Sequence, residues 1–572
     1  MAYFKIEKFA GPAPAVSPRL LSYQFGQEAE NINFETGRLL SKKAIGSSIK
    51  TLSNNDRTSI YRYKYGANDA SEAWLQWDED VDVVEGPIPG DTTNRLYWTG
   101  EDYPRIGWAS PSTGGTSQPN NSYRLGVPAP HVAVGVAISG NANDELTPMD
   151  VSYVYTYVTA DGREGPPSPP STVLERDNEQ SATLTFVTPS VTSNNNLGAG
   201  SLRRIYRSNT GSTNSQFQFL AEIPISQASY LDDVEAETLG EVIPSSGWIG
   251  PPDDDSSLYP DGPLQGLINM AQGVMAGFTG KRFCLSEAFL PHAWPIAYRI
   301  TTDDNIVAIA QTAGGVAALT NGQPYFITGT DPSAMSATRI DLPQACVNKH
   351  SVVDMGSYVL YAGPDGLCAV EGGAGRVITN GLITTEQWNA DFDPTSLKAF
   401  KHEGTYVAFT SGGGGWVFDP RSDDASISTF THVEVRGAYT DPADAELYVI
   451  HTNKIKKFQG HASNVETLTF KTKKFVLPKP GSMSWVSISA NEYPVTVKVY
   501  GDGTLIAHYT LNKSGSSYTQ TTTVPASGGN GTLAEPVMRL PAIMATEWEV
   551  EVSGTDINEL CISQSLEEIK NT

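Results

Sequence analysis

The sequence predicts an all-β protein in which a β-propeller of five to seven blades carries two further β-sandwiches. Three observations predict it. The 53 glycines and 37 prolines are spread along the chain without a triplet period, which implies many tight turns between short strands and excludes a collagen-like repeat. A unit made of an apolar run, a Gly, Asn or Asp turn and a second apolar run recurs at Val307, Val352, Lys398 and Gly437, about 39 to 46 residues apart, the period of a four-stranded blade. Helical periodicity is nearly absent; only Thr384–Asp391 and the last residues have it.

In chain order, residues 1–50 read as an extended arm, because their prolines keep them out of a sheet and leave them to clamp a neighbour. Residues 51–124 supply a first propeller segment, in SIYRYKYGANDASEAWLQW from Ser59 and RLYWTGEDYPRIGW from Arg95. In residues 125–250 the texture changes to short alternating runs, the pattern of a β-sandwich of the fibronectin type III or Ig-like kind. Its clearest stretch is YVYTYVTADGREGPPSPPS. Period-two aromatics give one buried face, Asp161-Gly162 a hairpin turn, and the prolines end the pairing. Gly250–Gly262 is a linker by composition, and residues 251–464 form the main propeller segment, with GVMAGFTGKRFCLSEAF from Gly273 as a further unit. Residues 465–572 read as a C-terminal sandwich with a Gly-Asp-Gly hairpin turn.

A chain of 572 residues exceeds a single ordinary core, and 39% hydrophobic residues with 25 tyrosines exclude a disordered chain. The net charge of −24 argues against a general nucleic-acid binder, which needs Lys and Arg to neutralise phosphates; an acidic surface suits a passage through which nucleic acid slides without sticking. Cys284, Cys346, Cys368 and Cys561 lie far apart without a CxxC, so free buried thiols are expected. The opening MAYFKIEKFAGPAPAVSPRLL has lysines and prolines where a signal peptide needs an unbroken apolar stretch, and no window reaches 18 apolar residues. A soluble protein made in the cytoplasm is the expectation.

No residue is assigned a catalytic, cofactor-binding or metal role. Gly280-Lys281-Arg282 ends like a phosphate loop, but Met275 stands where that loop needs glycine and Arg282 where it needs Ser or Thr; a hairpin turn fits better. Asp78-Glu79-Asp80-Val81-Asp82 alternates like a calcium loop, yet Val83 and Pro89 occupy the required glycine and glutamate positions. The eight histidines are scattered, and His350 and His402 read as turn or surface residues. Lys454, Lys456, Lys457, Lys471, Lys473 and Lys474 cluster near the last domain, where edge lysines discourage unwanted pairing. Exposed aromatics such as Trp74, Trp77 and Trp98 could stack on sugars, though propeller cores use the same residues, which keeps open an alternative, a carbohydrate-binding or carbohydrate-cleaving propeller acting in receptor recognition.

Three further pieces carry a resemblance. GPAPAVSPRLLSYQFGQEAENINFETGRLLSKKA, with Ala29, Asn33, Gly37 and Leu39, resembles the opening of tail-tube and tail-nozzle proteins of short-tailed bacteriophages. YVYTYVTADGREGPPSPPS followed by RIYRSNTGS, FLAEI and YLDD is similar to phage virion proteins, as is the ending RLPAIMATEWEVEVSGTDINELCISQSLEEI. The resemblance implies the tail nozzle, or tail tubular protein B: a non-enzymatic virion subunit with a propeller and extra β domains. Six copies would form a homo-oligomeric ring around a channel. Expected partners are the tail adaptor ring and other tail proteins, fibres or spikes among them, with genomic DNA passing through the lumen without specific binding. No cofactor and no membrane insertion are implied. The tandem of fibronectin-like insert and C-terminal sandwich departs from the family picture.

Pro364-Asp365-Gly366, inside VLYAGPDGLCAVEGG, is read as one turn of the repeat. Its proline presets φ and its glycine accepts positive φ, which leaves Cys368 on a strand as a small apolar residue.

Overall fold

The strand Val359–Ala362 (VLYA) is buried along its whole length and pairs with Leu367–Glu371 through Tyr361 opposite Cys368. The Pro364-Asp365-Gly366 turn joins them, closed by the Gly363 amide on the Gly366 carbonyl (2.9 Å). Val353–Asp354 and Ala374–Val377 flank this pair to complete a four-stranded antiparallel sheet. This is the blade unit of the propeller-type, all-β class that the sequence predicts. Strand accounts for 47% of the chain and helix for 6%. The computed structural model describes every residue except 1–2, 67–70, 110–118, 120, 144, 188, 190–192, 211–214, 422–425, 526–528 and 571–572. The turn within SIYRYKYGANDASEAWLQW and the end of RIYRSNTGS therefore lie outside the described residues.

By contacts the chain divides into two units. One comprises residues 1–60, 322–324 and 340–572, the other residues 61–321 and 325–339.

In the first unit three blades stack through alternating side chains. The sheet of Lys398–His402, Thr405–Phe409, Gly415–Asp419 and Ser426–Phe430 turns Tyr406, Ala408, Trp416 and Phe418 toward Leu360, Ala362 and Leu367 of the preceding blade. Its opposite face turns Val407, Phe409, Val417 and Phe430 toward Leu447, Val449 and Phe458 of the next. A period of two thus places each strand in two cores at once, which is why these runs are continuously apolar rather than alternating with polar residues. The third blade, Ala438–Thr440, Leu447–His451 and Lys454–Lys457, takes its fourth strand, Ser48–Thr51, from the N-terminal region.

The second unit repeats the arrangement. The sheet of Gln265–Asn269, Met275–Thr279, Arg282–Leu285 and Ile300–Thr301 packs Ala276, Phe278, Phe283 and Leu285 on Ile309, Val316, Ala318 and Ile327 of the Ile306–Arg339 blade. Its other face packs Leu267, Met275 and Cys284 on Tyr97 and Ile106 of a blade within residues 82–124. The hairpin Ser59–Tyr65 and Ser71–Trp77 forms a further two-stranded sheet.

Between these blades lie two three-stranded sheets. Gly135–Ser139, Ser181–Thr185 and Ser229–Asp232 form one; Tyr153–Val158, Leu202–Thr210 and Ser215–Pro224 form the other. Both contribute to a single core, in which Tyr153, Tyr155 and Tyr157 meet Ala182, Leu184 and Ile205. The tyrosines fill the expected face, but the opposite face of the same strand is buried too, with Val154 against Tyr206 and Ile243. The prolines do not end the pairing as expected. In Gly165-Pro-Pro-Ser168-Pro-Pro-Ser171 each amide that is not a proline donates to the tyrosine strand, Gly165 to Tyr157, Ser168 to Tyr155 and Ser171 to Tyr153, all at 2.9 Å. The Ser168 and Ser171 hydroxyls accept the amides of Tyr155 (3.2 Å) and Tyr153 (3.0 Å). Proline removes donors, and here the prolines occupy only the positions whose donors have no partner to meet.

The expected arm of residues 1–50 is also corrected. Tyr3–Ile6 pairs with Asp556–Ser563, and Leu39–Ser41 pairs with the other end of the same strand. Gly26–Glu30 lies between Leu468–Thr472 and Ser426–Phe430, so a twelve-stranded sheet runs from a blade into the C-terminal domain. Phe9, Ala29, Ile32 and Leu39 are buried in the core built by Val486, Val497, Trp548 and Ile562. The prolines are confined to residues 11–20, a stretch without strands. They exclude from the sheets that loop alone. The C-terminal Gly-Asp-Gly turn is as expected. Asp502 (φ 46°) and Gly503 (φ 79°) both take positive φ, as a two-residue type I′ hairpin requires. The helix Thr385–Asp391 is present, its N-terminus closed by a capping box between Thr384 and Gln387.

Candidate functional site

The positions singled out in the sequence do not converge. Gly280-Lys281 is the turn between Met275–Thr279 and Arg282–Leu285, with Gly280 at φ 54° and Lys281 Nζ on the Asp303 carbonyl (2.5 Å). Asp78–Asp82 bends the chain between two strands, and the Asp82 carboxylate accepts the Gly266 amide (3.2 Å). All four cysteines are buried, and burial pushes each thiol up to about 12, which leaves no thiolate near neutrality. His350 is exposed, whereas His402 is a core residue, 4% exposed, whose basicity burial lowers. Among the described residues no group of three or more His, Cys, Asp and Glu side chains could hold a metal ion.

Two expectations need correction. Trp74, Trp77 and Trp98 are 5%, 1% and 0% exposed, so none offers a face to a sugar; Trp98 donates its indole N–H to Glu101 (2.5 Å). The lysines do not guard edges either. Lys454–Lys457 has partners on both sides, and so does Leu468–Thr472. Three of the six charges are met within the chain, Lys457 by Glu446 (2.5 Å), Lys471 by Glu549 (3.2 Å) and Lys474 by Glu547 (3.1 Å), and Lys473 donates to the Leu21 carbonyl.

What the sequence does bring together is a set of buried ionic ties. Asp232 of YLDD, fully buried, accepts from Arg176 (2.7 Å), Arg207 of RIYR (2.8 Å) and the Tyr153 hydroxyl of YVYTY (2.7 Å). Glu164 accepts from Arg204 (2.6 Å), Tyr206 (2.6 Å) and Thr156 (2.8 Å). Burial is the first cause that raises the Tyr153 and Tyr206 hydroxyls, with Asp232 and Glu164 adding to it, so both stay protonated donors. These clusters fix the register of four strands, and the hollow beside Arg176 and Arg207, about 20 Å3, holds little more than water.

Lys42 is a feature the sequence reading missed. It is 7% exposed, on a cavity of about 40 Å3 that it shares with His402, Glu403, Asp419 and Arg421. Burial holds its ammonium down at about 8, against the attraction of Glu403 and Asp419. That cavity admits little beyond water, whereas a second hollow that Lys42 also lines, with Asn31, Phe430 and His432, measures about 290 Å3.

A cleft of about 980 Å3 lies in the second unit. Leu258 and Ile296, 60% and 61% exposed, are its open aliphatic surface. Trp248 stands half-buried beside them, edge-on to His292 at 5.9 Å. Asp253, Asp254 and Asp255 line the rim; Arg124 grips Asp254 through two bonds (2.6 and 2.9 Å) and reaches Asp253 at 3.5 Å. The Arg124 bond holds the Asp254 carboxyl below its ordinary range, while burial raises Asp253. Tyr259 packs under the loop and donates to the Gly250 carbonyl (3.2 Å), so the expected linker is a folded rim. Composition alone marked this stretch, and its partner Arg124 lies too far away in sequence to be read with it.

No protein family and no curated protein matches the chain. Among solved structures it is similar to BamB from Moraxella catarrhalis at 10% identity, with a TM-score of 0.25, over 44% of this chain and 78% of that one. A superposition at that level carries no functional argument.

Proposed function

We propose that the chain is a structural virion protein, a subunit of the ring-shaped tail nozzle of a short-tailed phage that forms part of the DNA conduit. One observation carries the reading. Within the pieces that carry the resemblance, several residues tie the scaffold together: Ala29 and Leu39 in the C-terminal core, and Tyr153, Glu164, Arg207 and Asp232 in the buried ties of the middle module. Scaffold ties of this kind suit a chain whose work is assembly. The net charge of −24 supports a conduit that repels phosphates and lowers the friction of a sliding duplex. Neighbouring adaptor and tail proteins, and location in the virion, belong to the same reading.

The test is the mass of the purified protein and its image by electron microscopy, alone and with a candidate adaptor ring. A closed ring, most simply a hexamer, with an acidic lumen is expected. A chain that stays monomeric in both conditions, or a ring with a positively lined lumen, counts against the reading.

A further inference from the structure

We propose that the cleft of the second unit receives the Ser17–Tyr23 loop of a second copy, a head-to-tail contact that rests on the ring reading above. Each copy then offers both halves of the joint, the arrangement that generates a ring when the rotation closes.

The loop is built to be inserted. Leu20 is 78% exposed and Tyr23 54%, and the Arg19 side chain between them and Pro18 is 56% exposed, at 3.4 Å from Glu547. The base beneath is fixed. The Lys474 amide donates to the Pro18 carbonyl (3.1 Å), the Leu20 amide to the Ser17 carbonyl (2.8 Å), and Leu21 is buried. An apolar side chain displayed on a rigid turn loses little freedom when it docks.

The cleft offers the complement. Leu258, Ile296 and Trp248 give an open apolar surface; of the three rim carboxylates two meet Arg124 and Asp255 is held by Ser257, which leaves an excess of negative charge to meet Arg19. The volume, about 980 Å3, holds the whole tip of the loop rather than one side chain. Apolar surface and acidic rim match the apolar tip and basic flank in kind.

The experiment mixes full-length Leu20→Cys with full-length Leu258→Cys under mild oxidation, the four native cysteines being buried. A disulfide-linked pair is expected from this mixture, and at least tenfold less from Leu20→Cys mixed with Val187→Cys, another exposed position. Equal or absent linkage overturns the contact. In parallel, the masses of the wild type and of Leu20→Asp are compared. If wild-type rings form and Leu20→Asp rings persist, this contact is wrong while the ring reading stands. If the wild type is monomeric yet the mixture cross-links selectively, the contact stands and the ring reading falls. Arg19→Glu is expected to weaken the cross-link, and Asp253→Lys with Asp255→Lys in the partner protein to restore it; loss without restoration removes the charge pairing.

Discussion

Lys42 shows how a single residue sets a pH response. Its folded pKa, about 8, lies below the ordinary value because burial disfavours the ammonium. The unfolded chain therefore binds more protons between about 8 and the unperturbed 10.5, and stability rises with pH across that window. Below pH 8 the folded state carries the full burial penalty. Lys42→Met is expected to flatten the rise and to stabilise the protein by about 1–3 kcal/mol near neutrality, checked by denaturant unfolding on both sides of the window. Asp232 is expected to behave oppositely: Asp232→Ala leaves the buried Arg176 and Arg207 unpaired and costs about 3–5 kcal/mol in the same measurement, whereas Tyr153→Phe costs about 1 kcal/mol. For the thiols, no cysteine is expected to react with a soluble alkylating reagent in the native protein at mildly alkaline pH, and all four in denaturant, as counted by mass.

Among the elements, the blades were the most legible in the sequence because their causes are local. VLYA, the Pro-Asp-Gly turn and the following run lie within a few residues of one another, and the turn's further supports only reinforce it. Gln344 bonds both the Asp365 carboxylate (2.6 Å) and amide (3.1 Å), and Trp388 donates to the Gly363 carbonyl (2.9 Å). What stayed illegible is non-local. Nothing near Glu30 says that its neighbours are Thr429 and Thr469, so a strand-forming segment was read through its prolines as an arm. The buried state of Trp74 and Trp98 was hidden for the same reason, since their cover comes from other elements. At this scale the stacked faces set the energetics. Trp416→Ala, which empties the space between Trp388, Phe392 and Tyr406, is expected to cost about 3–5 kcal/mol and to lower the melting temperature accordingly. Deleting residues 2–25 is expected to impair folding, because it removes Tyr3–Ile6 and Phe9 from a shared core; Leu20→Asp isolates the loop from that effect.

For the whole molecule, charge is the property that the sequence states outright and that the proposed conduit uses. At physiological salt the purified protein is expected not to retard duplex DNA in a gel, and lowering the salt is expected to change little. Steep gain of binding at low salt would mean that cationic surface meets the phosphates. The cleft was the least legible part of the molecule, since Arg124, Trp248, Asp254 and Ile296 become neighbours only through the fold.

The interleaving of the two ends of the chain also orders events in time. Gln27 bonds Glu549, 522 residues downstream. At ordinary rates of synthesis the early strands wait on the order of a minute for the partners that complete their sheet. A nascent or truncated chain therefore has neither a finished edge nor a settled loop base, and under the proposed contact it is expected not to join full-length copies. Under that proposal, completion of translation becomes the licence to assemble.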